Sequence, residues 1–103
     1  MASDRIQHVI AERQLHLIDD PSRDVRVLIG QPSSDGYDSK CAYQTVGISD
    51  EQIRHVTGID GIQALELLVT RTLPAWLNRL LEEHPGLRWL DAPPCDFGFT
   101  RLP

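Results

Sequence analysis

The sequence has few cysteines, no long apolar run and no excess of positive charge, and each absence excludes a class of protein. Cys41 and Cys95 are the two cysteines, too few for a secreted disulfide framework and without the short paired spacing of a zinc site. We expect both thiols to be reduced. No segment approaches the roughly 18 consecutive apolar residues of a membrane span, and residues 1–5 lack the basic and then apolar pattern of a signal peptide. A cytoplasmic protein without a membrane partner is therefore expected.

The charge balance argues against nucleic acid as a partner. Ten Lys and Arg residues stand against fifteen Asp and Glu, which gives a formal net charge of −5. Most nucleic-acid binding depends on electrostatic attraction to phosphate. An acidic chain without a basic patch lacks that attraction.

Recognisable catalytic and cofactor motifs are also missing. The sequence contains no Gly-x-Ser-x-Gly, phosphate-binding loop, Cys-x-x-Cys or His-Glu-x-x-His, which are the local signatures of common hydrolases, nucleotide enzymes, redox proteins and metalloproteases. We therefore assign no catalytic residue, cofactor or metal, and we expect a non-enzymatic protein.

What is present fits one domain over residues 1–103, because a chain of 103 residues with 41% hydrophobic content can bury a single core. Apolar residues alternate with polar ones over residues 9–18 and again over 25–29, and residues 41–48 form a third β-prone run. Turn-forming residues separate these runs at 19–24 and 30–40. The pattern predicts three antiparallel strands in a meander within about residues 9–48.

A capping box predicts a short helix after the third strand. Ser49 is followed three residues later by Gln52, and this spacing is typical of a helix N-terminus. The helix should run to about Thr57 and stop at Gly58.

A second capping box, formed by Asp60 and Gln63, predicts a longer helix that Pro74 bends or restarts. Its inward side is predicted to change across the proline. The first apolar set is Ile62, Leu65, Leu68, Val69 and Thr72, and the second is Leu73, Trp76, Leu77, Leu80 and Leu81.

The C-terminal segments 87–90 and 96–99 are β-prone and leave short C-terminal strands as an open alternative. Strands followed by helices favour an α+β fold. We predict an antiparallel three-stranded meander followed by a short helix and a long proline-bent helix, packed on one face of the sheet.

The order of several short motifs resembles a known family. The motifs are Ile10-Ala11-Glu12-Arg13, Cys41 through Gly47, Gly58-Ile59-Asp60 followed by Gln63-Ala64-Leu65, and Trp89 with Gly98-Phe99. Together they resemble the bacterial family known as domain of unknown function 6968, over most of the chain from Ile10 to Phe99. This sequence departs from the family pattern in its longer proline-containing helix and in Ala92-Pro93-Pro94. The resemblance implies a small bacterial domain and brings no activity with it.

Two groups of carboxylates are candidate partner-binding residues. They are Asp19, Asp20 and Asp24 in the first predicted turn, and Asp35 and Asp38 in the second. In a meander, consecutive connections lie at opposite ends of the sheet, so the two groups cannot converge on one cation. Each could complement a basic partner or simply serve turn formation and solubility.

Two apolar residues are further candidates for a partner surface. Leu67 falls outside the main helical arc and Phe99 lies near the chain end. Core packing is the alternative for each.

Arg13 is unusual because alternate residues of a strand share a face, which places Arg13 with Ala11, Leu15 and Leu17 on the inward side. A buried guanidinium needs a partner. The alternatives are a structural ion pair, an arginine that extends to the sheet edge, or an anchor that binds the carboxylate of a ligand or partner.

These observations favour a non-enzymatic, acidic protein-binding module, and in particular an intracellular inhibitor or immunity-type protein that covers a basic toxin or enzyme. The alternative is a small-molecule-binding or minor enzymatic domain that uses the cleft between sheet and helices, with Arg13 as the anchor for an anionic ligand.

Overall fold

The computed structural model describes residues 5–48 and 51–99, in which the chain forms one antiparallel sheet with a long helix on one face. The strands are β1 (Val9–Leu17), β2 (Asp20–Gly30), β3 (Ser33–Ser34), β4 (Ser39–Val46), β5 (Arg54–Gly58) and β6 (Leu87–Arg88). The predicted α+β class is confirmed.

The predicted meander is the centre of the sheet. β1 pairs with β2 and β2 pairs with β4, both antiparallel. The sheet extends further on each side, because β5 pairs with β4 and the two-residue β6 pairs with the end of β1. The short β3 also pairs with β4 and closes a hairpin with it. Of the two β-prone C-terminal segments, only the first contains a strand.

The first turn is shorter than the sequence predicts. It contains only Ile18 and Asp19, and Leu17 already pairs with Asp20. Pro21 therefore lies inside β2, where a missing N–H is tolerated because β2 pairs with β4 only from Arg26 onward.

The predicted short helix over 49–57 is wrong, because residues 54–58 form β5. Ser49 and Asp50, where that helix would begin, lie outside the described residues. Strand pairing explains the difference: β4 has a free edge, and pairing Val56 with Cys41 brings Val56 against the core. Tertiary pairing overrides the local helix signal.

The long helix is continuous and has three parts. It consists of α1 (Gly61–Leu67), a π-helical turn (Leu68–Thr72) and α2 (Leu73–Glu83). The predicted helix start at Asp60 is confirmed, because the Asp60 carboxylate accepts from the Gln63 N–H at 2.8 Å. The return bond differs from that of a capping box, because the Gln63 side chain accepts from the N–H of Ile59, one residue before the N-cap, at 2.7 Å.

The interruption predicted at Pro74 takes the form of the π-helical turn that precedes it. Proline lacks an N–H and its ring crowds the carbonyl four residues earlier. The wider turn, in which the Leu73 N–H bonds to the Leu68 carbonyl, relieves that crowding. Leu68 of the first predicted inward set and Leu73 of the second are fully buried, whereas Ile62 of the first set is 79% exposed.

The core lies between the helix and one face of the sheet. Its fully buried members include Leu15, Val25, Cys41, Leu77 and Leu87. α1 packs over β4 and β5. No helix among residues 5–48 and 51–99 is long and apolar enough to cross a membrane.

Candidate functional site

Two carboxylates at the end of the sheet that holds the turn between β1 and β2 form ion pairs with arginines of this chain. Asp24 accepts from the Arg26 guanidinium at 2.6 Å and from the Gln14 amide at 2.8 Å. These hydrogen bonds, that of Arg26 above all, lower the pKa of Asp24 below its ordinary value. Asp20 lies 3.3 Å from the Arg23 guanidinium. The negative charge at this end is therefore partly compensated within the chain.

Asp19 differs from its neighbours because it lies in the exposed turn and borders the segment that follows α2. A Cβ added to Gly86 would lie 2.8 Å from the Asp19 carboxylate, and the Ile18 N–H donates to the Gly86 carbonyl at 2.9 Å. Glycine at 86 thus lets the two segments approach closely.

Asp35 organises the hairpin at the opposite end of the sheet. Its carboxylate accepts from the backbone N–H groups of Tyr37 and Asp38, both at 3.0 Å, and its own N–H donates to the Asp38 carbonyl at 3.0 Å. The two backbone donors, that of Asp38 first, lower the pKa of Asp35. Gly36 occupies the left-handed region with φ +101°, as this reversal requires. The tip of the hairpin is a defined turn.

This turn presents Tyr37 to solvent. The side chain is 92% exposed and is the most exposed of the large hydrophobic residues that the structure describes. Asp35 and Asp38 flank it in sequence, and Lys40 follows on β4.

Two exposed isoleucines lie at the same end of the sheet. Ser39, the first residue of β4, pairs with Gly58, the last residue of β5. The segment before β4, which contains Tyr37, and the segment after β5, which begins with Ile59, therefore lie at the same end of the sheet. Ile59 is 74% exposed and Ile62 is 79% exposed. We call Tyr37, Ile59 and Ile62, with the carboxylates of Asp35 and Asp38, the Tyr37 surface.

The packing of α1 fixes the position of the isoleucines. A Cβ added to Gly58 would lie 2.5 Å from the backbone nitrogen of Ala64, and one added to Gly61 would lie 3.2 Å from the Pro32 ring. The start of α1 is thus held against the end of β5 and the loop after β2. Ile59 and Ile62, on either side of the helix cap, are left facing solvent.

Sequence reasoning placed Asp35 and Asp38 in this turn and missed the exposed apolar residues beside them. Ile62 was predicted to face the core because it fits the helical arc, but it lies in the first turn of α1 and is exposed to solvent. The available signal was Gly36-Tyr37-Asp38, an aromatic residue between turn formers in a polar loop.

Arg13 is held by aromatic rings and a carbonyl. Its guanidinium lies 4.6 Å from the centroid of the Trp89 ring and 4.4 Å from that of Phe99, and it donates to the Phe97 carbonyl at 2.8 Å. Gly98, with φ +81°, permits this approach, because an added Cβ would lie 2.5 Å from the Trp89 ring. No carboxylate of the described residues is within ion-pair distance of Arg13. These contacts tie the C-terminal segment to β1, and the ligand role stays a prediction.

Leu67 and Phe99 are not brought together. Leu67 is half-buried on α1, which packs over β4 and β5, whereas Phe99 is half-buried against Arg13 on β1. β2 separates the two strands. Any partner surface that includes one of these residues is distinct from a surface that includes the other.

The two cysteines are separate free thiols. Cys41 is buried in the core, where its thiol lies 3.3 Å from the Gly30 carbonyl and burial raises its pKa. Cys95 is exposed. Within the part of the chain that the structure describes, no three His, Cys, Asp or Glu side chains are grouped so that they could hold a metal ion.

Comparison with models of protein families identifies a family for this chain. The sequence model of a family described as domain of unknown function (DUF6968) matches residues 11–101. No curated protein and no solved structure matches this chain.

Proposed function

We propose that this chain, which belongs to the DUF6968 family, is a non-enzymatic protein-binding module that recognises its partner through the Tyr37 surface. The partner we propose is a basic toxin or enzyme, which this chain would inhibit as an immunity-type protein in the bacterial cytoplasm. The exposure of Tyr37 on a defined turn carries the proposal.

Tyrosine is enriched at protein interfaces because it offers a large rigid contact area and a hydroxyl at low conformational cost. On this chain it is 92% exposed and shares one end of the sheet with Ile59 and Ile62. Grouped apolar residues rimmed by polar ones are typical of interaction surfaces. An apolar centre with carboxylates at its rim is the arrangement that interfaces commonly have.

The turn below Tyr37 is organised before any partner arrives. The Asp35 carboxylate fixes the backbone of Tyr37 and Asp38 through two hydrogen bonds. A loop that is already ordered loses less entropy on association. Tyr37 is thus suited to act as an anchor residue.

Charge favours a basic partner. The chain carries a net charge of −5, and Asp35 and Asp38 lie at the proposed surface, with Lys40 as the nearest cation in sequence. Complementary fields accelerate encounter and suppress like-charged competitors. The carboxylates at the opposite end are weaker candidates, because Arg23 and Arg26 compensate two of them.

A comparative capture experiment tests the surface. The wild-type chain and the variants Tyr37→Ala and Ile62→Ser are used as baits in lysate of the native host, and bound proteins are quantified by mass spectrometry. Ile18→Ser is the matched control, because Ile18 is 59% exposed in the turn at the opposite end of the sheet. We expect a protein that wild type and Ile18→Ser retain and that both surface variants lose. A partner retained equally by all four baits contradicts the proposal.

Association kinetics with the purified partner test the role of charge. Raising the salt concentration should slow association, and Asp38→Asn should slow it more than Asp19→Asn, since Asp19 lies at the other end of the sheet. An association rate that does not change with salt concentration or with either substitution would contradict electrostatic steering.

A further inference from the structure

A groove crosses the face of the sheet that is turned away from the helix. Cys41 and Tyr43 belong to the core on the helix side, so Ala42 between them faces the other way, as does His55, with which it pairs. Gly30 completes the floor, because a Cβ added there would lie 3.3 Å from that of Ala42. Small side chains on neighbouring strands thus leave a depression.

The segment before β1 forms one wall of the groove. Ile6 donates its N–H to the Gln44 side chain at 3.2 Å, and the His8 carbonyl accepts from the Gln31 N–H at 2.8 Å. Ile53 contributes apolar surface on the β5 side. The groove has a volume of about 830 Å3, within the range of small-molecule sites.

Among the residues that the structure describes, the charged and ionisable side chains that line this groove are all basic. They are Arg5, His8 and His55, and no described carboxylate belongs to the lining. The chain as a whole has fifteen acidic residues against ten basic ones, so a groove whose described ionisable side chains are all basic stands apart from the acidic balance of the chain.

These basic side chains remain accessible to a ligand. Among the described residues, the Arg5 guanidinium forms an ion pair with Glu51 at 3.9 Å, which is weak at that distance and exposure. The exposed imidazoles of His8 and His55 form no hydrogen bond with a described residue. Gln31 and Ser33 add polar donors at the end of the groove near β3.

We propose that this groove binds a small amphipathic anion, an organic carboxylate or sulfonate whose apolar body lies over Gly30 and Ala42. The anionic group would be received by Arg5, His8 and His55, while Ile6 and Ile53 contact the apolar body. This site is independent of the Tyr37 surface, and each can fail without the other.

The probe for the test is 8-anilinonaphthalene-1-sulfonate, whose fluorescence rises in an apolar site. Its matched neutral control is N-phenyl-1-naphthylamine, which has the same rings without the sulfonate. Titration of the folded chain should show saturable binding of the sulfonate and at least about threefold weaker binding of the neutral analogue, since a charged hydrogen bond is lost.

Substitutions then locate the site. Arg5→Gln and His55→Gln should each weaken sulfonate binding by about threefold to tenfold. Ala42→Leu should abolish saturable binding by filling the floor without changing charge. Arg79→Gln is the charge control, because Arg79 is exposed on α2 on the other side of the sheet. Ile62→Ser, which alters the Tyr37 surface, should leave sulfonate binding unchanged.

Amide NMR shifts provide a second measurement that does not depend on fluorescence. The probe should shift the amides of Gly30, Ala42 and His55. Shifts confined to other parts of the chain, equal binding of the neutral analogue, or unchanged affinity in Arg5→Gln, His55→Gln and Ala42→Leu would overturn the proposal. Folding of each variant is checked by circular dichroism.

Discussion

Arg13→Ala should destabilise the folded protein by about 3 kcal/mol. Stacking of a partly buried guanidinium on an aromatic ring is worth about 0.5–1 kcal/mol, and Arg13 contacts the rings of both Trp89 and Phe99. Its hydrogen bond to the carbonyl of the buried Phe97 adds about 1.5 kcal/mol, as is typical of a charged donor. The contacts hold the C-terminal segment on β1, so their loss should also release that segment.

Urea denaturation followed by far-UV circular dichroism measures the loss of unfolding free energy. In a separate thermal denaturation, the melting temperature should fall by about 10–20 °C. Arg79→Ala is the control, since an exposed helix residue should change stability by less than about 0.5 kcal/mol. Arg13→Lys should be intermediate, because lysine keeps the charge and loses the planar stacking.

A double-mutant cycle isolates the stacking contact. Arg13→Ala and Phe99→Ala should show a coupling free energy of about 0.5–1 kcal/mol, whereas two independent residues would add. If Arg13→Ala costs less than about 1 kcal/mol, or if the two changes are additive, the structural explanation of this arginine is refuted and its role as a ligand anchor gains support.

Three further outcomes follow from the packing and the titratable groups. Gly58→Ala should lose at least about 2 kcal/mol in denaturant titration, because the new methyl would meet the backbone of Ala64 at 2.5 Å; a loss below about 0.5 kcal/mol would contradict this close approach. The pKa of Asp35 is lowered from 3.8, because its carboxylate accepts hydrogen bonds from backbone N–H groups. The turn should therefore stay intact at higher pH and loosen only as pH falls below about 4. Amide NMR shifts of the turn that do not change over this pH range would argue against this role of Asp35. Iodoacetamide should modify Cys95 rapidly and Cys41 only on unfolding, since Cys41 is buried and its pKa is raised; equal rates by mass spectrometry would be inconsistent with the core position of Cys41.

The neighbourhood of Arg13 was partly predictable from the sequence. Strand parity placed the guanidinium on the inward side and required a partner for it. The partner itself could not be predicted, because Trp89, Phe97 and Phe99 lie more than seventy residues away along the chain. Only the path of the C-terminal segment over β1 brings the rings to the arginine.

The Tyr37 surface shows the same division. Turn formers around Asp35 and Asp38 indicated an exposed acidic loop, and a capping box at Asp60 located the start of the long helix. Neither pattern predicts that the acidic loop and the start of the long helix lie at the same end of the sheet. The pairing of β4 with β5 brings them to one end of the sheet.

Local patterns therefore determined the α+β class, the central meander, the capped start of the long helix and the interruption before Pro74, because each depends on periodicity, capping or backbone sterics within a few residues. Tertiary structure decided the rest. It made a strand of residues 54–58, since the edge of β4 offered hydrogen bonds and a place for Val56 against the core. It left Ile59 and Ile62 exposed at one end of the sheet and formed the basic groove from residues far apart in sequence, because a surface depends on which strands become neighbours.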